Sequence, residues 1–164
     1  MDGMTTPAVQ AAHPPRAPYR VVNAVMRRLL TRPRPPHGLA EQLMVLHVTG
    51  RTSGRTLDIP VARHRTADGQ TVVLTSARWR TNLRGGAPVE VTLDGRRRRA
   101  TAELVEQPDV VAGVYSELIE RHGWQRAGRR LGIRLGVRRA PTLDELADAA
   151  RRDGLSVIRV ELDR

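Results

Sequence analysis

One short segment combines the residue types that bind anions. It consists, in order, of Thr49, Gly50, Arg51, Thr52, Ser53, Gly54 and Arg55. Its two glycines permit positive φ angles and a close approach of the backbone to a ligand. Its two arginines each present a planar guanidinium that binds phosphate or carboxylate through paired hydrogen bonds, and its serine adds a hydroxyl. The composition of the segment therefore indicates a loop that binds an anion.

The same segment admits a second interpretation. It is not a P-loop, because three residues rather than four separate its glycines and no Gly-Lys-Ser/Thr sequence follows. It lies between two apolar stretches, so it also fits an ordinary glycine hairpin with solvated arginines. Composition alone leaves the anion loop and the hairpin equally open.

Most other catalytic chemistries lack their residues in this sequence. There is no cysteine, which excludes thiolate nucleophiles, zinc-thiolate sites and iron-sulfur clusters. All 28 cationic residues are arginine, so neither a Schiff base nor a P-loop lysine is available. The five histidines lack His-Glu-x-x-His spacing and no Gly-x-Ser-x-Gly turn occurs, so we expect neither a metal site nor a hydrolase. His47 lies in an apolar stretch and is predicted to be a hydrogen-bonded core or pocket residue rather than a base.

The net charge of +11 favours anionic partners, whether a phosphorylated cofactor, lipid headgroups or nucleic acid. The chain contains two tyrosines, two tryptophans and no phenylalanine, which is too few for the stacking platform of proteins that bind RNA or single-stranded DNA. We therefore expect no nucleic-acid partner. A length of 164 residues with 40% hydrophobic residues fits one globular domain.

The anion segment must be held by the strands on either side of it. Apolar stretches predict strands over residues 43–48, 57–61, 71–76, 89–93, 96–106 and 155–162. Asp68-Gly69 and Asp94-Gly95 predict hairpin turns, the first between the second and third strands and the other between the fourth and fifth. Helical spacing predicts helices over residues 110–119, 124–131 and 142–152. This order predicts an α+β domain whose antiparallel strands curl into a small barrel.

The start of the chain has a different composition. Residues 1–18 are rich in proline and poor in apolar residues, which predicts a disordered tail. Residues 19–37 are predicted to form an amphipathic helix over residues 19–30 and a proline-rich linker, and residues 38–164 a single domain. The apolar stripe and basic flank of that helix permit packing on the barrel or peripheral contact with an anionic membrane. Because no signal-peptide core or membrane span is found, we expect a cytoplasmic protein.

Three motifs follow one another in a recognisable order. The anion segment is followed by Pro60-Val61 and then by the stretch from Trp79 to Val89, which reads Trp-Arg-Thr-Asn-Leu-Arg-Gly-Gly-Ala-Pro-Val. In this order they resemble the deazaflavin-dependent nitroreductase family, the split β-barrel oxidoreductases that use coenzyme F420. The resemblance covers residues 39–106. It implies a small antiparallel split β-barrel of about six strands, with flanking helices and an N-terminal amphipathic helix.

The resemblance also implies a cofactor site spread over the three motifs. In the family, the loop receives the phosphate and polyglutamate tail of F420, the next strand lies along the deazaflavin ring, and the third motif flanks the cofactor. The matching positions are Arg51, Thr52, Ser53, Gly54 and Arg55 in the loop, Pro60, Val61 and Ala62 in the strand, and Arg78, Trp79 and Asn82 beside the cofactor. For two of these residues a structural role is an alternative to cofactor contact. Trp79 could fill the barrel as an apolar plug, and Asn82 could cap a short turn.

The implied function is hydride transfer from reduced F420 to a small oxidised substrate, such as a quinone, a nitro compound or an activated alkene. Ser76 or solvent is expected to meet the negative charge that develops on this substrate. FMN is expected to bind less tightly than F420, and a homodimer is compatible with the fold. Two other functions stay open: a barrel that binds F420, a flavin or haem without turnover, and a basic nucleic-acid-binding domain, against which the few aromatic rings argue.

Overall fold

The structure is a computed structural model that describes residues 5–12, 24, 28 and 42–164. Its strands are β1 (Val9–Ala11), β2 (Leu43–Thr49), β3 (Thr56–Ala62), β4 (His64–Arg65), β5 (Thr71–Thr75), β6 (Ala87–Leu93), β7 (Arg96–Val105), β8 (Ile133–Leu135) and β9 (Ser156–Leu162). Its helices are α1 (Pro108–His122), α2 (Trp124–Leu131) and α3 (Leu143–Asp153). A 3-10 helix spans Arg78–Leu83.

The described residues divide into two compact units. The sheet unit contains residues 42–73, Ala77–Leu104 and Ile158–Arg164. The helical unit contains residues 5–12, Leu74–Ser76 and Val105–Val157. Strands β5 and β9 contribute residues to both units. The single domain predicted over residues 38–164 stays a prediction.

Within the described residues, the main sheet has seven strands in the order β3-β2-β6-β7-β9-β5-β4. β2 is antiparallel to β3 and to β6, β6 is antiparallel to β7, and β4 is antiparallel to β5. β3 and β4 lie at opposite ends of this order, yet only Arg63 separates them in the chain. Because one residue spans only a few ångström, the sheet must curl back on itself. The predicted α+β class and antiparallel split barrel are confirmed.

Every second residue of the main strands faces the interior of this half-barrel. The buried side chains there include Met44, Leu46 and Val48 on β2, Val89 and Val91 on β6, Ala100, Ala102 and Leu104 on β7, and Ile158 and Val160 on β9. β2 is also buried on its other face, through Val45 and His47. Burial on both faces explains why its sequence is an almost unbroken apolar run.

Both predicted hairpin turns form, but one of them joins a different strand. Asp94 and Gly95, between β6 and β7, have φ angles of 51° and 75°, as a tight two-residue turn requires. The turn at Asp68-Gly69 joins β4 to β5. The prediction that it joins the second and third predicted strands is therefore wrong. The chain instead passes from β3 to the far edge of the sheet, and no local pattern in the sequence indicates this change.

The helical unit includes two strands that the sequence did not predict, β1 and β8. β1 is antiparallel to β8, with Gln10 opposite Arg134. Val9 and Ala11 are 1% and 8% exposed, and the Ala11 N–H donates to the Asp153 carboxylate at 2.9 Å. The disordered tail predicted over residues 1–18 is therefore wrong for β1. Two buried side chains and the paired backbone offset the entropy of ordering this short segment.

The helices form as predicted, and α1 packs against α3. α3 begins with a capping box: the Thr142 hydroxyl accepts the Glu145 N–H at 3.2 Å, and the Glu145 carboxylate accepts the Thr142 N–H at 2.8 Å. The helix ends at Gly154, whose φ of 73° is typical of a helix C-terminus. Local capping signals therefore set both ends of α3.

The predicted N-terminal helix over residues 19–30 and its linker lie outside the described residues, except for Ala24 and Arg28, which are helical and exposed. Packing of that helix on the barrel and its contact with a membrane both stay predictions. None of the helices that the structure describes is long and apolar enough to cross a membrane.

Candidate functional site

The predicted anion segment closes the hairpin between β2 and β3. Thr49, the last residue of β2, lies opposite the first residue of β3, and we call the six residues between them the cradle loop (residues 50–55). The Gly50 N–H donates to the Arg55 carbonyl at 2.8 Å, and the Gly54 N–H donates to the Gly50 carbonyl at 2.9 Å. These two bonds fold the loop into a compact turn whose arginines are exposed.

The geometry of the cradle loop favours glycine at both positions. Gly54 has a φ of 66°, in the left-handed region that favours glycine. A Cβ atom at Gly50 would lie 2.6 Å from the Ser53 hydroxyl oxygen. That hydroxyl accepts the Arg55 N–H at 3.2 Å, so a side chain at position 50 would displace it. Ser53, which the resemblance assigns to the cofactor, therefore supports the shape of the loop.

The 3-10 helix holds the cradle loop in place. The Arg51 N–H donates to Asn82 Oδ1 at 2.9 Å, although the two residues are 31 positions apart in the chain. Asn82 Nδ2 donates to the Trp79 carbonyl at 2.9 Å, and the Arg51 guanidinium donates to the Arg84 carbonyl. The Asn82 amide thus bridges two of the three motifs. It caps its own turn and also positions the loop, a second role that sequence reasoning did not anticipate.

These two segments form a strongly basic surface. Residues 49–57 and 76–89 contain five arginines and no aspartate or glutamate. The arginines are Arg51, Arg55, Arg78, Arg80 and Arg84. The flanking acids are engaged elsewhere, because Asp58 bonds His47 at 2.6 Å and Glu90 pairs with Arg97 at 2.6 Å. The site therefore attracts anions with little compensation from nearby carboxylates.

The other predicted residues of the third motif differ in exposure. Arg78 is exposed at the start of the 3-10 helix, whereas Trp79 is half-buried and packs against the core of the half-barrel. This position suits the plug that was the alternative for Trp79, and its contact with a cofactor stays a prediction. Ser76 directly follows β5, is half-buried and belongs to the helical unit, so its role also stays a prediction. Among the described residues, no group of three histidine or acidic side chains could hold a metal ion.

Pro60, Val61 and Ala62 lie on β3, which begins where the cradle loop ends. β3 lies at one end of the sheet order and neighbours β2 alone among the described strands. Val61 is 8% exposed and faces the core, whereas Ala62 is exposed. Pro60 has no N–H to donate, which a strand at a sheet edge tolerates. The loop and the strand edge are thus continuous with each other.

A partly buried hydrogen-bond network links three strands of the sheet. His47 on β2 is 8% exposed. Its Nδ1 lies 2.6 Å from Asp58 Oδ1 on β3, and its Nε2 lies 2.8 Å from Thr92 Oγ1 on β6. A neutral imidazole donates through one nitrogen and accepts through the other, so a proton on Nδ1 satisfies all three side chains. His47 is a hydrogen-bonded core residue, as the sequence predicted.

A hydroxyl, an imidazole and a carboxylate in this order also form the catalytic unit of many hydrolases. Here Thr92 is 5% exposed and lies within a central strand, which keeps its hydroxyl from a substrate in solution. Sequence reasoning missed both partners of His47. Asp58 could have been found from the sequence. In a hairpin closed by the cradle loop, the residues three positions before its first residue and three positions after its last, 47 and 58, lie opposite each other. Thr92 gives no such signal, since β6 is distant in the chain.

No protein-family model matches the sequence, and no curated protein matches it either. Solved structures that align with the chain include the general stress FMN/FAD-binding protein of Xanthomonas citri, 13% identical over 86% of this chain and 85% of that one, with a TM-score of 0.39. The haem storage protein HutZ of Vibrio cholerae is 17% identical over 90% of each chain, with a TM-score of 0.44. A conserved hypothetical protein of Mycobacterium tuberculosis is 17% identical over 86% of this chain and 80% of that one, with a TM-score of 0.43. Likenesses of this degree assign no cofactor to the chain.

Proposed function

We propose that this protein binds coenzyme F420 and transfers a hydride from its reduced form to a small oxidised substrate: a quinone, a nitro compound or an activated alkene. The main support is the bond between the Arg51 N–H and Asn82, which holds the cradle loop against the 3-10 helix. The two segments that it joins carry five arginines and no acidic residue. A tail of phosphate and glutamate groups is a polyanion, and such a surface suits it.

The donors of the cradle loop fit an anionic tail. Among the described residues, the Arg55 side chain makes no hydrogen bond, so its donors are available to a ligand. The Arg51 guanidinium gives one bond to the Arg84 carbonyl and retains other donors. In this proposal Arg51 and Arg55 bind the phosphate and glutamate groups, and Arg78 adds positive charge from the 3-10 helix.

In the same proposal, the segment from Pro60 to Ala62 supports the ring of the cofactor. Val61 anchors this part of β3 through its buried side chain, which keeps the strand edge in a defined position. When bound, the deazaflavin supplies the hydride chemistry, while the protein supplies binding and orientation. Ser76 or solvent would donate a hydrogen bond to the negative charge that develops on the substrate.

A barrel that binds F420, a flavin or haem without turnover is the second candidate. The hydrogen bonds of His47 favour this candidate. Both of its ring nitrogens are bonded to side chains within the sheet, so His47 is not available as an acid or base for a substrate. One measurement distinguishes the two candidates. The rate at which a soluble quinone oxidises reduced F420 is monitored by absorbance, with and without the protein. Tight binding of F420 with no acceleration of this reaction would establish the non-catalytic barrel.

F420 is expected to bind more tightly than FMN, because its longer anionic tail reaches more of the basic surface. A titration that follows deazaflavin and flavin fluorescence measures both affinities under the same conditions. Equal or tighter binding of FMN would reject the F420 assignment in favour of a barrel that uses a flavin. Binding of neither cofactor, with retention of a DNA oligonucleotide, would instead support the nucleic-acid-binding candidate.

Asn82→Ala is expected to weaken F420 binding by about tenfold, the equivalent of one lost hydrogen bond of roughly 1.4 kcal/mol. The substitution removes the acceptor of the Arg51 N–H and frees the cradle loop from the 3-10 helix. The matched control is Thr81→Val, which loses the bond of the Thr81 hydroxyl to the Arg78 carbonyl within the same helix but none to the loop. If both variants bind F420 equally well in the fluorescence titration, the bridge does not position the loop.

A further inference from the structure

The helical unit contains a second basic region, which shares no residue with the cradle loop. Between Glu120 and Asp144 the sequence has no acidic residue but seven arginines. They are Arg121, Arg126, Arg129, Arg130, Arg134, Arg138 and Arg139. Because the run contains no acidic residue, its positive charges either pair with carboxylates from other segments or lack an ion-pair partner.

Two of the seven arginines are neutralised by carboxylates within the helical unit. Arg121 pairs with Glu117 at 3.0 Å, one helical turn away. Arg139 bonds both carboxylate oxygens of Glu145 at 2.7 and 2.9 Å, and this bond is the main reason why the pKa of Glu145 falls to about 2. The other five arginines are exposed, and none of them forms an ion pair with another described residue.

Three of these five arginines lie along one groove. It has a volume of about 610 Å³ and runs between α2 and the segment that begins with β8. Its lining includes Trp124, Arg129, Ile133, Arg134, Leu135 and Arg138. Arginine therefore lies beside an indole ring and aliphatic side chains, which is the composition of a site for a ligand that is part anion and part apolar ring. The volume is within the range of small-molecule sites.

The walls of this groove are held by backbone contacts. A Cβ atom at Gly128 would lie 3.0 Å from the Ile133 carbonyl oxygen, so α2 and β8 are in close contact there. A Cβ atom at Gly136 would lie 2.4 Å from the Pro7 carbonyl oxygen, because the chain before β1 packs directly on this turn. The Gly136 N–H also donates to the Ala8 carbonyl at 2.9 Å. The groove is thus built on α2 and β8, and Arg138 lies on the segment that follows β8 after the anchored Gly136.

The charge of this region acts on a neighbouring group. The pKa of His122 is lowered, first by burial and then by the positive charges of Arg130 and Arg121. The surroundings of α2 therefore disfavour a further positive charge, as expected where several arginines lack anionic partners. A bound anion would relieve this repulsion.

We propose that the groove between α2 and β8 is a second ligand site, which binds a nucleotide through its phosphates and its base. Arg129, Arg134 and Arg138 bind the phosphate groups with their planar donor pairs. The Trp124 indole provides a face on which the base stacks, and the aliphatic side chains of Ile133 and Leu135 line the groove beside it. This proposal does not rest on F420 binding, because the groove shares no residue with the cradle loop.

The first test is isothermal titration calorimetry of the full-length chain with ADP. We expect saturable binding of one ADP, and Arg129→Gln/Arg134→Gln should weaken it by about tenfold or more. The matched control is Arg126→Gln/Arg130→Gln, which removes the same charge from the same helical region outside the groove and should retain most of the affinity. Equal losses in the two double variants, or no binding of ADP at all, would overturn the proposal.

A second comparison separates the base from the phosphates. Trp124→Leu should weaken ADP binding several-fold while leaving the weaker binding of inorganic phosphate unchanged. A duplex DNA oligonucleotide that binds the groove more tightly than ADP would reject the nucleotide in favour of nucleic acid. The F420 titration of Arg129→Gln/Arg134→Gln should match that of the unmodified chain, so failure of either site is recognised independently of the other.

Discussion

Removing both arginines of the cradle loop is expected to weaken F420 binding by roughly a hundredfold or more, while the barrel stays folded. In Arg51→Gln/Arg55→Gln two charge-assisted bonds are lost, each worth about 1.5 to 3 kcal/mol, or about tenfold to a hundredfold in affinity. Both side chains are exposed, and the backbone bonds that close the loop do not involve them. The titration of deazaflavin fluorescence measures the loss, and thermal unfolding tests the fold.

The control for this variant removes the same charge from another part of the same sheet. Arg96 and Arg98 on β7 lie opposite Leu93 and Val91 on β6, away from the end of the sheet that carries the cradle loop. Arg96→Gln/Arg98→Gln should therefore lose affinity only through the general decrease in net charge, which added salt suppresses. If the cradle-loop variant keeps its thermal stability and binds F420 as the control does, the segment is an ordinary glycine hairpin.

The features that were predictable from the sequence are those encoded by neighbouring residues. The tight turn at Asp94-Gly95 and the capping box of Thr142 and Glu145 depend on residues within one turn of each other. The loop composition, two glycines with two arginines, likewise indicated both its shape and its charge. These local signals were sufficient for the α+β class and for a candidate anion site.

Apart from the contact of Asp58 with His47 across a local hairpin, the features that were missed depend on residues brought together from distant parts of the chain. β4 follows β3 after one residue but pairs with β5 at the opposite end of the strand order. This is possible because the curled sheet brings its two ends close together. β1 has only three residues, and its partners are β8 and the Asp153 carboxylate, both more than 100 positions away in the chain. The bridge from Asn82 to Arg51 spans 31 residues. Composition and periodicity carry no information about such pairings.

The His47 network should contribute to stability, because removal of the half-exposed Asp58 carboxylate takes away the hydrogen-bond partner of one His47 ring nitrogen. Asp58→Ala is expected to lower the free energy of unfolding by about 0.5 to 1.5 kcal/mol, the net contribution of one hydrogen bond, because water can reach the exposed side of this contact. Asp58→Asn is the matched control, since its amide oxygen can still accept a hydrogen bond from Nδ1. Urea denaturation, with equal slopes required for comparison, measures both variants. Equal losses for alanine and asparagine would mean that Asp58 acts through its charge rather than through this bond.

The other side of the network provides an independent check. Thr92→Val removes the hydroxyl that lies 2.8 Å from Nε2 and keeps the shape of the side chain, so it should be destabilising while His47 is present. In His47→Leu/Thr92→Val both buried polar partners are replaced by apolar groups, and the loss should be smaller than the sum of the two single losses. Because β3 carries both Asp58 and the segment from Pro60 to Ala62, Asp58→Ala should also weaken F420 binding, whereas Asp58→Asn should retain it. Additive losses in the double variant would contradict a hydrogen bond between His47 and Thr92, and the network would then no longer explain how β2, β3 and β6 are held in register beside the site.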